Sequence, residues 1–255
     1  MPLVTAPDGL RIAYEVAGEG GPPLVLHHGL GGDRRQWWSA GYVDAFRTNT
    51  RVVLVDALGR GESDRPHDPA AYGIPRHAAD VLRVLDAEGV ERAVFWGWSV
   101  GGRVGFEIAA RHPDRLVALV ATGATGHGFE PDPDELEEHL ALFDRGMEDV
   151  VAVWSENTRA PAWLRAQWLE SDPAAIVASL RANAGYRGIA DALPRLTVPV
   201  LMLIGDRDPL LPLARETAAT APRAVLAELE DRDHTTAFTE SDVPVALTLE
   251  FLRGP

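Results

Sequence analysis

Apolar positions along the chain fall into two rhythms that alternate. Residues 11–16 (Arg-Ile-Ala-Tyr-Glu-Val) alternate apolar with small or polar side chains, as a strand with one exposed face does. After the Gly18–Pro23 cluster of turn residues, 24–27 is a short apolar run, and 51–56 (Arg-Val-Val-Leu-Val-Asp) is another; both read as strands buried on two faces. A helix is expected over about 78–88, with Val81, Leu82, Val84 and Leu85 on one face and Gly89 ending it. The apolar stretch 94–96 then runs into Gly97-Trp98-Ser99-Val100-Gly101, beyond which small and apolar residues recur at helical spacing to Ala110. Further strands are expected at 116–122, 198–205 and 225–229, and further helices at 213–220 and 243–252. Strands alternating with helices at this spacing predict an α/β fold with a mainly parallel, doubly wound sheet.

Between these halves the rhythm changes. From about 125 to 185 an acidic opening, Glu130-Pro131-Asp132-Pro133-Asp134-Glu135, leads into helical periodicity without a convincing strand: Leu136, Leu140 and Phe143, then 150–154, then 163–169. The expectation is a core of 1–124 and 186–255 carrying a helical cap over 125–185. Insertions at the carboxyl edge of a parallel sheet cover whatever lies there.

Composition narrows the chemistry. The 255 residues, 46% hydrophobic and 24% charged, suit a globular protein with a sizeable core. A net charge of −14 disfavours nucleic acid and anionic membranes as partners, since both would repel the chain. There is no cysteine, which excludes disulfides, thiolate nucleophiles and Cys-bound metals. All 24 basic residues are arginine, so Schiff-base chemistry, a pyridoxal phosphate anchor and a phosphate-loop lysine are excluded too. The arginine-for-lysine bias fits a GC-rich genome. Met1-Pro2-Leu3-Val4 shows no secretory pattern and no apolar run is long enough to span a bilayer, so the expected location is cytoplasmic.

The G-x-S-x-G stretch puts a serine at the apex of a strand-to-helix turn. So tight a turn leaves no room for side chains where strand and helix nearly touch, and it holds the hydroxyl above the carboxyl edge of the sheet. The bland alternative is an ordinary β–α turn. The loop His28-Gly29-Leu30-Gly31-Gly32-Asp33-Arg34 also has two readings. Gly29 and Gly31 fit the start of a dinucleotide-binding G-x-G-x-x-G, with Asp56 at a plausible distance for a ribose, but Arg34 stands where the third glycine is needed. The better reading is a loop whose N–H groups, Leu30 first, face Ser99.

A serine nucleophile needs a base, and the base needs a partner fixing its tautomer. Of eight histidines, His67, His77, His112 and His139 read as exposed loop or helix positions, and His127 opens the insertion. His27 ends a buried strand as a core histidine, and His28 reads as holding the geometry of the loop it begins. His234 lies just past the last strand, on the edge of the sheet that carries Ser99. Asp208 follows the preceding strand and is preferred as partner, with Asp206 competing for the role.

With these motifs in hand the chain resembles the α/β-hydrolase superfamily over nearly its whole length. The resemblance rests on five motifs in order: His28-Gly29-Leu30-Gly31-Gly32, the 56–64 turn, Gly97-Trp98-Ser99-Val100-Gly101-Gly102, Gly205-Asp206-Arg207-Asp208-Pro209 and Asp233-His234. It implies an α/β-hydrolase fold, nucleophile Ser99, acid Asp208, base His234, and an oxyanion hole from the N–H groups of Leu30 and Val100, with no cofactor and no metal. Asp80 matches a recurrent aspartate, read as structural. The serine argues against epoxide hydrolases and haloalkane dehalogenases, which use aspartate. Leu30-Gly31-Gly32 departs from the proline usual in cofactor-free haloperoxidases, Arg60 replaces a common histidine, and Trp98 is bulky for its place. Size and cap are similar to small bacterial carboxylesterases and enol-lactone hydrolases.

The leading expectation is hydrolysis of a small-molecule ester or lactone through an acyl-enzyme, by a monomer or homodimer. Trp98, Trp37, Trp154 and Trp163 are candidates for the substrate pocket, with Trp168 and Trp38 close by; helix packing explains the cap tryptophans equally well. Carbon–carbon bond hydrolysis of a diketone ring-fission product is an alternative that needs a cation for the substrate carboxylate, for which Arg34, Arg35 or Arg103 could serve. A ligand-binding relative with a vestigial triad is a third.

Overall fold

A computed structural model describes residues 1–128, 131–156 and 158–254. Glu130 of the acidic run lies outside the described residues. One sheet contains β1 (Leu3–Thr5), β2 (Arg11–Ala17), β3 (Leu24–His27), β4 (Val52–Val55), β5 (Ala93–Trp98), β6 (Leu116–Thr122), β7 (Val200–Gly205) and β8 (Ala224–Leu229). Their spatial order is β1-β2-β4-β3-β5-β6-β7-β8, with β1 and β2 antiparallel and the strands from β4 to β8 parallel. The doubly wound sheet expected from the apolar pattern is therefore the one found. Its order reverses at β3, which has β4 on one side and β5 on the other, and a crevice opens beyond the carboxyl ends of strands at such a point.

Side chains alternate across this sheet and divide the core into two layers. Val25, Val53 and Phe95 face α3 (Ile74–Ala87) and α4 (Val100–Arg111) through Val81, Val84, Leu85, Phe106 and Ile108. Leu24, Leu26, Val94 and Trp96 face the other way, onto Trp37 of α1 (Arg35–Ser39), Tyr42, Val43 and Phe46 of α2 (Tyr42–Phe46), and Phe238. Burial on both faces is why β3, β4, β5 and β7 read as unbroken apolar runs.

Between β6 and β7 lie α5 (Pro133–Ala141), α6 (Met147–Glu156), α7 (Ala162–Leu169) and α8 (Pro173–Asn183). His127 and Gly188 pair as an antiparallel bridge where this helical segment leaves and rejoins the sheet. The chain ends with α9 (Leu211–Thr220), α10 (Thr236–Thr239) and α11 (Asp242–Arg253).

Five elements, β1, α1, α2, α8 and the four-residue α10, are absent from the sequence reading. β1 has three residues, and α1 and α2 have five each, too few to display a period. α8 is built on alanines after an Asp172 cap that accepts from the Ala175 N–H at 3.2 Å, so its apolar face is faint in the sequence. Two expectations are corrected. α3 begins at Ile74, because Gly73 at φ 126° and Pro75 in the first turn start it before the periodic residues. His77, read as exposed, is buried under the crevice beside His27.

Candidate active site

Ser99 stands between β5 and α4 at φ 54°, ψ −115°, a left-handed conformation that costs a non-glycine residue roughly 1–3 kcal/mol. The glycines beside it are dictated by proximity. A Cβ on Gly97 would lie 2.2 Å from the Gly101 carbonyl, and one on Gly101 would lie 2.2 Å from the His27 oxygen. The Ser99 N–H donates to Thr122 O at 2.8 Å, which ties the elbow to β6.

Two loops from the next strands bring side chains to this serine. His234, beyond β8, has Nε2 3.0 Å from Ser99 Oγ. Its Nδ1 is 2.8 Å from Oδ2 of Asp208, beyond β7. The Asp208 carboxylate is enclosed, and its Oδ1 accepts the Leu210 N–H at 2.9 Å. Asp206, the competing carboxylate, is exposed and accepts the Arg232 N–H at 3.2 Å, away from His234. Asp233 is a residue whose part the sequence did not disclose. Its Oδ1 accepts the N–H groups of Thr235 and Thr236 at 2.8 and 2.7 Å, shaping the turn that carries His234. Its Oδ2 accepts the Arg159 N–H at 3.0 Å from the helical segment above.

On the other side of Ser99 runs the loop after β3. Among the described residues, the N–H groups of Leu30 and Val100 meet no protein acceptor. The peptide that carries the Leu30 N–H is gripped from behind, where Nδ1 of His28 lies 2.7 Å from Gly29 O. His28 Nε2 accepts the Ala57 N–H at 3.0 Å, so the proton must sit on Nδ1. Burial pushes the pKa of His28 down to about 4, which keeps it neutral. Arg60 Nε donates to Leu30 O at 2.5 Å, and Ser171 Oγ lies 3.2 Å from Gly31 O.

A cleft of about 220 Å³ opens over Ser99 and His234, walled by Leu30, Trp98, Trp154 and Trp168. Trp154 and Trp168 meet edge to face at 5.4 Å and press on the loop, so that a Cβ on Gly31 would lie within 2.6 Å of both rings. Trp98 both lines the cleft and braces the base. It stacks on Phe238 at 4.3 Å, and its Nε1 donates to His234 O at 3.3 Å. Trp37 is corrected: it is 0% exposed, edge-on to Tyr42 in the core, and does not reach the cleft. Trp163 is half-buried against the same core layer and does not line the cleft either. Leu164 and Trp168 are the buried apolar side chains of α7, and Trp168 takes the position expected of Trp163.

The three candidate arginines also lie outside the cleft lining. Arg34 is neutralised by Asp56, by Glu15 at 3.1 Å and by Glu62 at 3.2 Å, and Arg35 by Asp33 at 2.7 Å and Glu170 at 2.8 Å. The same Arg34–Asp56 pair occupies the loop that could have been read as binding a dinucleotide. Among the described residues no group of three His, Asp or Glu side chains is arranged to hold a metal ion, and no helix is long and apolar enough to cross a membrane.

Comparison with known proteins bears on the fold and the family. The family model for the alpha/beta hydrolase fold matches residues 22–164. A putative carbamate hydrolase, RutD, of a Caulobacter species is 32% identical, over 97% of this chain and 97% of the relative. The pimeloyl-[acyl-carrier protein] methyl ester esterase of Aeromonas hydrophila is 30% identical, over 80% of this chain and 84% of the relative. Among solved structures, the enol-lactonase of Burkholderia xenovorans superposes with a TM-score of 0.88 at 25% identity, covering 99% of this chain and 100% of that one.

Proposed function

The chain belongs to the α/β-hydrolase family, and from that premise we propose that it is a serine hydrolase of small, neutral carboxylic esters or lactones. One observation carries the reading: Ser99 Oγ, His234 and Asp208 form a continuous hydrogen-bonded chain, with steps of 3.0 and 2.8 Å.

Asp208 holds His234 with its proton on Nδ1, which leaves Nε2 free to take the proton of Ser99 as Oγ attacks the substrate carbonyl carbon. The carbonyl oxygen becomes an oxyanion, and the N–H groups of Leu30 and Val100 receive it. One such donor is worth on the order of 10²–10³ in rate. His234 then returns the proton to the leaving oxygen as the carbon–oxygen bond breaks; in a lactone that oxygen stays tethered to the acyl group. Water, deprotonated by the same imidazole, attacks the acyl-enzyme and releases the acid. No cofactor is needed at any step, and the partner is a small molecule.

The cleft suits a compact, uncharged acyl group. Its 220 Å³ falls below the roughly 300–1,000 Å³ of sites that enclose drug-sized ligands, and apart from Ser99 and His234 its walls are indole and leucine with Thr158 and Thr235 and no charged side chain. The carbon–carbon alternative is not carried forward, because its substrate needs a cation, Arg34 and Arg35 are already neutralised elsewhere, and Arg103 does not line the cleft.

The direct test is Ser99→Ala assayed with p-nitrophenyl acetate and a simple lactone. Turnover is expected to fall about 10³-fold or more. Covalent capture of the wild type, but not of the variant, by a fluorophosphonate separates this reading from a vestigial triad. Unchanged turnover in Ser99→Ala overturns the serine mechanism.

A further inference from the structure

We infer that Arg60 is a positioning residue for the oxyanion: its buried guanidinium fixes Leu30 from behind and puts a positive charge without a contacting carboxylate beside the two N–H donors. The inference rests on the serine reading and adds a residue to it.

Arg60 lies in the turn after β4 and is 5% exposed. Its recorded bonds go to main-chain carbonyls alone, from Nε to Leu30 O at 2.5 Å and from Nη1 to Gly59 O at 2.9 Å. Among the described residues it has no carboxylate within ion-pair distance. Tyr72, Asp172 and Arg65 act on it only at longer range, the first two favouring its charge and Arg65 opposing it. Burying a guanidinium without a counter-charge is expensive, and a protein normally avoids it. Arg34, which borders the same polar cavity, shows the usual solution, with three carboxylates around one buried guanidinium. The difference needs an explanation that packing alone does not supply.

Geometry supplies one. Leu30 is held at both of its peptide planes, by His28 on Gly29 O and by Arg60 on Leu30 O, so the direction of its N–H is set. Of these two grips, only Arg60 carries charge. Leu30, Val100, Arg60, His28 and His77 all border one small space behind the loop, of about 10 Å³. That is at or below the limit for holding a water, so little solvent can intervene between the guanidinium and the donors. His27, His28 and His77, the other titratable groups there, are held neutral by burial. A cation so placed favours the transition state, in which negative charge has developed, over the neutral substrate.

A ligand-binding role is less well supported. The larger polar cavity beyond Arg60, about 280 Å³, is lined besides Arg60 by three arginines and four carboxylates, so those neighbours add no positive charge with which to select an anion.

The test uses three variants of the whole protein: Arg60→Met, Arg60→Gln, which keeps a donor without the charge, and Arg60→Lys, which keeps the charge. Steady-state kinetics with p-nitrophenyl acetate are paired with the affinity of a boronic acid, whose tetrahedral serine adduct is anionic. Arg60→Met and Arg60→Gln are each expected to lower kcat 10- to 100-fold with KM within about twofold, and to weaken the boronic acid by a matching factor, with Arg60→Lys recovering most of both. Serine-dependent turnover indifferent to Arg60→Met or Arg60→Gln overturns the inference alone. So does an equal loss in all three variants that tracks a lower Tm. A wild type that neither hydrolyses the ester nor binds the boronic acid overturns the serine reading, and this inference with it.

Discussion

Asparagine in place of Asp208 changes almost nothing in shape, and the surrounding bonds dictate which way its amide must face. Oδ1 of Asp208 accepts the Leu210 N–H at 2.9 Å, so the oxygen of the new side chain has to stay there. The NH₂ group is thereby turned onto the position of Oδ2, 2.8 Å from His234 Nδ1. Two donors cannot face each other at that distance, so the imidazole must move its proton to Nε2. Nε2, 3.0 Å from Ser99 Oγ, then becomes a donor and can no longer accept the serine proton. Where this tautomer exchange has been produced in a serine hydrolase, kcat falls about 10⁴-fold, which corresponds to roughly 5.5 kcal/mol of barrier. The assay is p-nitrophenyl acetate hydrolysis at pH 7–8 with Tm as a check on folding, which the near-isosteric change should leave within a few degrees. Asp206→Asn is the internal control. Its carboxylate is exposed and bonds only the Arg232 N–H among the described residues, so its activity should stay within about twofold of wild type. Asp208→Asn within tenfold of wild type, or Asp206→Asn losing as much as Asp208→Asn, would refute the assignment.

Two further predictions come from the cleft wall and from the buried histidines. Trp154→Ala and Trp168→Ala each remove an indole from the 220 Å³ cleft, so the preferred p-nitrophenyl ester should lengthen from acetate or butyrate towards octanoate; an unchanged chain-length profile would mean the indoles only pack. His27 and His28 are held down to about 3 and about 4 by burial, and His77 well below its ordinary value, while the unfolded chain titrates near 6.5. The unfolded state therefore binds more protons between those limits, so stability is complete above pH about 6.5 and declines as pH falls towards 4, by roughly 3 kcal/mol for His28 alone. Urea midpoints measured from pH 7 to 4.5 should fall steeply, and a flat profile from 7 to 5 would refute the neutral cluster.

What the sequence discloses here depends on whether a residue's role is local. β3, β4 and β5 are legible because burial on two faces leaves an unbroken apolar run, and Ser99 is legible because its elbow tolerates only glycine two positions to either side. Choices that depend on three-dimensional direction are not. Asp206 and Asp208 are two residues apart on one turn, and only the fold turns one inward. Trp163 and Trp168 share α7, yet the helix's placement sends only the second to the cleft. Trp37 follows the loop closely in sequence, but α1 folds it back under Tyr42. Arg60 shows as a departure from a familiar turn, while its lack of a counter-charge appears only when its neighbours are known.

Trp98 illustrates why a bulky residue can be kept next to a nucleophile. Ser99 and His234 are 135 residues apart, on loops that leave different strands, yet their contact has to hold at 3.0 Å for proton transfer. An error of about 1 Å in such a contact costs on the order of a hundredfold in rate. The two loops therefore need a brace that does not pass through the reacting atoms. Trp98 supplies it from the elbow side: its backbone is the residue before Ser99, its Nε1 holds the His234 carbonyl at 3.3 Å, and its ring stacks on Phe238, which follows in α10. Asp233 supplies a second brace from the base side, closing the His234 turn and joining it to Arg159 of the helical segment. Narrowing the pocket and packing beneath the helices are then one role: Trp98 bounds the cleft while its Nε1 edge and its stack on Phe238 are engaged in fixing His234.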